Sequence, residues 1–186
     1  MKKLLTILSI SFLHLYSFAQ KGVDFVDGWL EFKKGDTIRG KVCYINTVTG
    51  ERYDKVFHLN EAGSKKRYGS DKINSLMADG KIYEFVTIEG SGLGPLLMQR
   101  VIAGDIYMYR AWFKTPDSSP TKLKYEETIF LRKKGSDDFV EVVPKNFFKQ
   151  MKSYFKGDED IVQMIKENNY EIKDLEKIVQ AYNDKD

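Results

Sequence analysis

Between residues 28 and 143 the chain repeats one unit: a short run of alternating apolar and polar residues, then a turn that usually contains glycine. Alternation with a period of two sends every second side chain to one face, a pattern that a strand can bury and a helix cannot. In GWLEFKKGDTIRGKV (28–42), Leu30, Phe32, Ile38 and Val42 share one parity, and Glu31, Lys33, Arg39 and Lys41 take the other. A three-residue loop, Lys33-Lys34-Gly35, with Gly35 in the left-handed conformation, pairs Phe32 with Asp36 and Leu30 with Ile38. Those pairs keep the apolar side chains together, so the stretch reads as a β-hairpin and as scaffold.

The same pattern recurs at 56–59 and 65–68 around NEAG, and at 73–77 and 81–88 around ADG, where Asp79-Gly80 is a tight-turn pair. It returns at 96–102 and 106–113 around AGD, and at 128–132 and 139–143 around KKGSDD. With no helical period between these runs, the expected fold is mainly β: an antiparallel meander, curled as a barrel-like sheet or folded as a sandwich. Glycine-rich EGSGLGP (89–95) precedes a strand-like run rather than a helix, so it is a connection and not a phosphate loop. KTPDSSPTKLK (114–124) reads as a polar surface loop.

From Pro144 the period changes. Phe147, Phe148, Met151, Tyr154 and Phe155 fall at helical spacing, ended by Gly157; Asp158 caps a second helix with Ile161, Val162 and Ile165 inward. Leu175, Ile178, Val179 and Tyr182 mark a third, capped near Lys173 or Asp174. Three short C-terminal helices (144–186) should therefore pack on a β domain (20–143).

Residues 1–19 have the form of a secretory signal peptide, with Lys2 and Lys3 before an apolar run and Ser17 and Ala19 before the expected cut. The expectation is an exported protein, periplasmic or envelope-associated, possibly extracellular, with no transmembrane span after cleavage. Two of the 30 Lys and Arg lie in this leader, which leaves 28 against 27 Asp and Glu. So balanced a chain has no general attraction for nucleic acid or anionic lipid.

Beyond the leader there is one histidine, His58, and the whole chain has one cysteine, Cys43. One of each builds neither a three- or four-ligand zinc site nor an intramolecular disulfide. His58 should be a strand histidine on the polar side, and Cys43, which alternates with Lys41 and Arg39, a partly buried free thiol. No motif asks for a cofactor. What composition still permits in catalysis is a carboxylate hydrolase, with Glu126-Glu127 and Asp137-Asp138 available.

In IYMYRAWF, Ile106, Met108 and Trp112 take one face and Tyr107, Tyr109 and Phe113 the other, which marks a strand covered on both sides. The helices can supply the second cover. The alternative is a cavity in which Tyr107, Tyr109 and Trp112 hold an apolar or glycan ligand. The basic residues of SKKRYGSDK suit a solvated edge strand, and Asp158-Glu159-Asp160 suits helix capping rather than calcium.

The GDTIRGKV hairpin, the stretch YGSDKINSLMADGKIYEF and the ending FFKQMKSYFKGDEDIVQMIKENNYEIKDLEKIVQAYN resemble a group of uncharacterised exported proteins of Bacteroidetes. The resemblance spans most of the chain and implies architecture, not an activity. Its members often carry Cys-Pro near the start of the second helix, where this chain reads GDEDIV. The expected role is non-catalytic, as an interaction or structural module for an unidentified protein or envelope component. A ligand carrier is the alternative.

Overall fold

The computed structural model describes residues 25–44, 55–116 and 123–185. The leader expected at 1–19, and the centre of the polar loop (117–122), lie outside them.

Among the described residues ten strands form one antiparallel sheet: β1 (Val26–Phe32), β2 (Thr37–Tyr44), β3 (Lys55–Leu59), β4 (Lys65–Gly69), β5 (Ile73–Ala78), β6 (Lys81–Val86), β7 (Leu96–Ile102), β8 (Ile106–Pro116), β9 (Leu123–Lys133) and β10 (Val140–Val142). Each expected hairpin forms. In the first, Leu30 faces Ile38, Phe32 N–H donates to Asp36 O at 2.8 Å, and Gly35 sits at φ 91°. Asp79 and Gly80 both take positive φ, which matches the right-handed twist of the strands they join.

The sheet order is β10-β9-β8-β7-β6-β5-β1-β2-β3-β4. This corrects the simple meander at one point: β5 pairs with β1, not with β4. It also limits the expectation of closure, because β4 and β10 are the two ends of the order and the sheet is not closed. Small residues line up where β1 is hemmed in, with Gly28 opposite Gly40 on one side and Ala78 on the other. A Cβ on Gly28 would lie 2.0 Å from the Met77 carbonyl oxygen, so the strands approach too closely there for any side chain. The polar loop is shorter than the sequence suggests. β8 and β9 continue their pairing as far as Pro116 opposite Leu123, so the ends of KTPDSSPTKLK are strand.

Three helices follow: α1 (Phe147–Tyr154), α2 (Glu159–Glu167) and α3 (Leu175–Asn183), the last preceded by a 3-10 turn at Ile172–Asp174. Asp158 caps α2 as expected, its carboxylate accepting from Ile161 N–H at 3.1 Å. Phe148 departs from the expected pattern: it is exposed, while Phe147 and Met151 turn inward.

The helices cover one face of the C-terminal strands. Ile106, Met108, Leu131 and Val142 of the sheet form one buried cluster with Met151, Phe155, Ile161, Ile165, Leu175 and Ile178. The opposite face carries Val86, Met98, Tyr109, Ala111 and Phe130. A third cluster, Leu30, Val42, Val56, Ile73 and Leu76 with their neighbours, fills the N-terminal half. Asn183 fastens the last helix to the sheet by accepting from Ile106 N–H and donating to Ile106 O, both at 2.8 Å. Gly104 leaves room for this side chain, which lies 2.4 Å from where a Cβ would stand.

Candidate functional site

Among the described residues the one histidine, His58, and the one cysteine, Cys43, are both buried. His58 is 5 % exposed, which corrects its expected place on the polar side. It shares the parity of Val56 in β3 and sits opposite Val42, so register carries it inward. There Nε2 lies 3.0 Å from Arg39 O; a carbonyl only accepts, so Nε2 holds the proton and donates. Gly40, at φ 152°, is required beside it, because a Cβ would meet Nε2 at 2.6 Å. Cys43 is not in a disulfide and is 2 % exposed, more deeply buried than its alternation with Lys41 suggests. Among the described residues no group of three His, Cys, Asp or Glu side chains could hold a metal ion. No helix among them is long and apolar enough to cross a membrane.

The residues expected to hold a ligand do not converge. Tyr107 and Tyr109 share one face of β8, whereas Trp112 falls on the alternate parity, the face of Met108 and Arg110. Tyr109 is sealed at 0 % exposure. Its hydroxyl donates to Glu84 Oε2 at 2.8 Å and accepts from Arg132 Nη2 at 2.9 Å. Burial, and then the bond to Glu84, push this phenol well above its ordinary value, so it stays a neutral donor.

Around Tyr109 stands a cluster from four adjacent strands. Arg100 on β7 pairs with Glu84 on β6. On β9, the Arg132 guanidinium carbon lies 5.0 Å from the Tyr107 ring centre, 5.5 Å from Tyr109 and 5.2 Å from Phe139. Ring faces attract such a cation by about 0.5–2 kcal/mol each. Arg132 Nε is nevertheless buried with no hydrogen-bond partner, an omission that costs about 1–3 kcal/mol. Sequence reading passed over Glu84, Arg100 and Arg132. The signal was parity: each shares its strand's face with apolar residues, Glu84 with Val86, Arg100 with Met98 and Arg132 with Phe130.

On the other side of the sheet, a groove of about 560 Å³ runs between β8–β10 and the start of α3. Met108, Ile129 and Val142 supply its apolar part, and Val143, 38 % exposed, borders it. Its charged lining is Glu126, Glu127, Glu141 and Glu176 against Arg110 and Lys173. Arg110 ties the sheet to the helix: Nη2 donates to Glu176, and Nε lies 3.1 Å from Glu127 Oε1. Of the acidic pairs noted in the sequence, Glu126-Glu127 lines this groove. Asp137-Asp138 lies in the exposed turn before β10, where Asp138 N–H donates to Ser136 Oγ at 3.0 Å. The exposed Lys65, Lys66 and Arg67 lie on β4, which among the described residues ends the sheet order beside β3, as expected for a solvated edge.

No protein-family model, no curated protein and no solved structure matches this chain.

Proposed function

We propose that the protein is an exported, non-catalytic interaction module, and that the groove between the sheet and α3 receives its partner. One observation carries this reading: an apolar-floored groove of about 560 Å³ whose lining holds four carboxylates against two cations. Its volume suits a short segment of a partner better than a globular surface. The excess of glutamate selects a segment that sets Lys or Arg beside apolar residues, because like charges facing each other there are unfavourable. A periplasmic or envelope protein is the expected source, in keeping with the leader at 1–19. A hydrolase reading is disfavoured because Glu127 and Glu176 share Arg110 as their charged partner.

The remainder serves as scaffold. The link from β4 to β5 is three residues (70–72), yet the two strands are four places apart in the sheet order. In a flat sheet that gap is about 19 Å, beyond the reach of so short a link. We take the β5-β1-β2-β3-β4 half to coil as a partial barrel, a reading supported by the Phe32–Tyr68 ring contact at 5.1 Å and the small residues Gly28, Gly40 and Ala78.

Site-specific photocrosslinking in the native cell envelope tests the groove. A photoreactive residue at Lys173 should give a discrete protein adduct, and one at Lys66 on β4 should not. An adduct from Lys66 alone, or from neither, would refute the groove as the docking surface. A bound small molecule seen by native mass spectrometry would favour a carrier instead.

A further inference from the structure

The polar cluster on the face opposite the groove carries an assignment independent of it. Glu84 is the carboxylate within a group of two guanidinium ions, and Arg100 takes it directly. Arg132 reaches Glu84 only through the Tyr109 hydroxyl. Among the described residues Arg132 has no carboxylate partner, so the cluster holds one positive charge in excess. Tyr107, Tyr109 and Phe139 attract that charge, but ring faces give the buried Nε–H no oxygen to donate to.

We propose that Arg132 is the receptor for an oxyanion, a carboxylate or a phosphate, borne by a ligand whose flat or apolar body lies against Tyr107 and Phe139. Part of the cluster meets solvent, although the Arg132 Nε atom itself is covered. Arg132, Tyr107 and Phe139 are half-buried, and the Arg100 and Glu84 side chains are 26 % and 17 % exposed. It is also held in place beforehand, since the bond to Tyr109 and the surrounding rings fix the guanidinium before any ligand arrives. Only arginine serves both purposes. Its planar fork can donate to Tyr109 through one edge and offer further N–H groups to an anion, where the lysine ammonium is a point charge. The short helices and the groove take no part.

The test is calorimetric titration of the full chain, processed as its host processes it, with sodium benzoate, phenyl phosphate and inorganic phosphate at matched ionic strength. Saturable single-site binding of at least one probe is expected, weakened by about tenfold or more in Arg132→Met and partly retained in Arg132→Lys. Lys134→Met removes an exposed positive charge two residues away in sequence, and binding should survive it. Preference for benzoate would identify a carboxylate ligand, such as an acidic sugar or peptide end; preference for the phosphates would identify a phosphorylated one. Should Arg132→Met fail to fold, the Arg132 Nε–H resonance of the unaltered protein decides, because it must move as the probe saturates. Undiminished affinity in folded Arg132→Met, a stationary Nε–H signal, or no saturable binding of any probe would overturn the assignment.

Discussion

On β8, Met108 turns toward the helices and Tyr109 toward the other side, and both are sealed from solvent. Met108 belongs to a buried apolar cluster with Leu131, Met151, Ile161, Ile165, Leu175 and Ile178, and also lines the groove that holds Arg110. One residue further along, Tyr109 lies among Glu84, Arg100 and Arg132, in a network that spans four strands. The same strands thus present a dry face, whose charges at Arg110, Glu127 and Glu176 are partly exposed in the groove, and a wired one, whose charges meet a sealed tyrosine. The dry face gains stability in proportion to area and tolerates little loss of volume. The wired face contributes less to stability for the same burial, because its charges must be desolvated before they can pair. The candidate ligand site is proposed on this wired face because its Arg132 Nε–H lacks an acceptor.

Removal of Met151, which is 0 % exposed within the helix-covered cluster, should have the largest effect. Met151→Ala should lower stability by about 2–5 kcal/mol in urea unfolding. A loss under 1 kcal/mol would mean that the helices are not packed as described. On the wired face, Tyr109→Phe removes the hydroxyl shared by Glu84 and Arg132 while keeping the ring. Its expected cost is about 1–3 kcal/mol, smaller than for Met151→Ala because volume is preserved. If the two substitutions cost the same, the distinction between the faces fails.

Away from both faces, Asp158→Ala should cost about 0.5–2 kcal/mol through loss of the α2 cap. The bond from Lys185, at 2.6 Å, holds the Asp158 carboxyl below its ordinary value of 3.8. A depressed carboxyl stabilises the fold above its unfolded value and loses that contribution as pH falls through the folded one. The deficit of the variant should therefore be complete at neutral pH and shrink below about pH 4, as followed by helical circular dichroism. The smallest effect is expected from Glu176→Gln, which frees one arm of the Arg110 link. Both partners are partly exposed, so the change should be about 1 kcal/mol or less and should fade in high salt. A larger loss would show that the groove's charges, like those around Tyr109, act as a structural network.

Local features were legible because their causes are local. Gly35 sets the first hairpin, Asp79-Gly80 the third, and Asp158 the start of α2, each through the conformation or hydrogen bond of residues a few positions apart. The two covered faces of β8 were legible too, since IYMYRAWF writes both in alternate letters. That the C-terminal helices cover one of them was expected as well; which face they take, and what covers the other, was not legible. Helices on the Met108 side and Phe139, Arg132 and Glu84 on the Tyr109 side come from distant segments, and parity names a face without naming its neighbour.

The sequence by itself determined the hairpins, the helix starts and the inward and outward faces, because these follow from steric preferences and from periods of two and 3.6 residues. Only the tertiary structure decided that β5 lies beside β1, that His58 turns inward against Arg39, and that Arg132 meets Tyr107, Tyr109 and Phe139. The physical reason is the same in each case. An alternating strand is satisfied by any neighbour with a matching face, so the choice among neighbours is made by packing over the whole molecule.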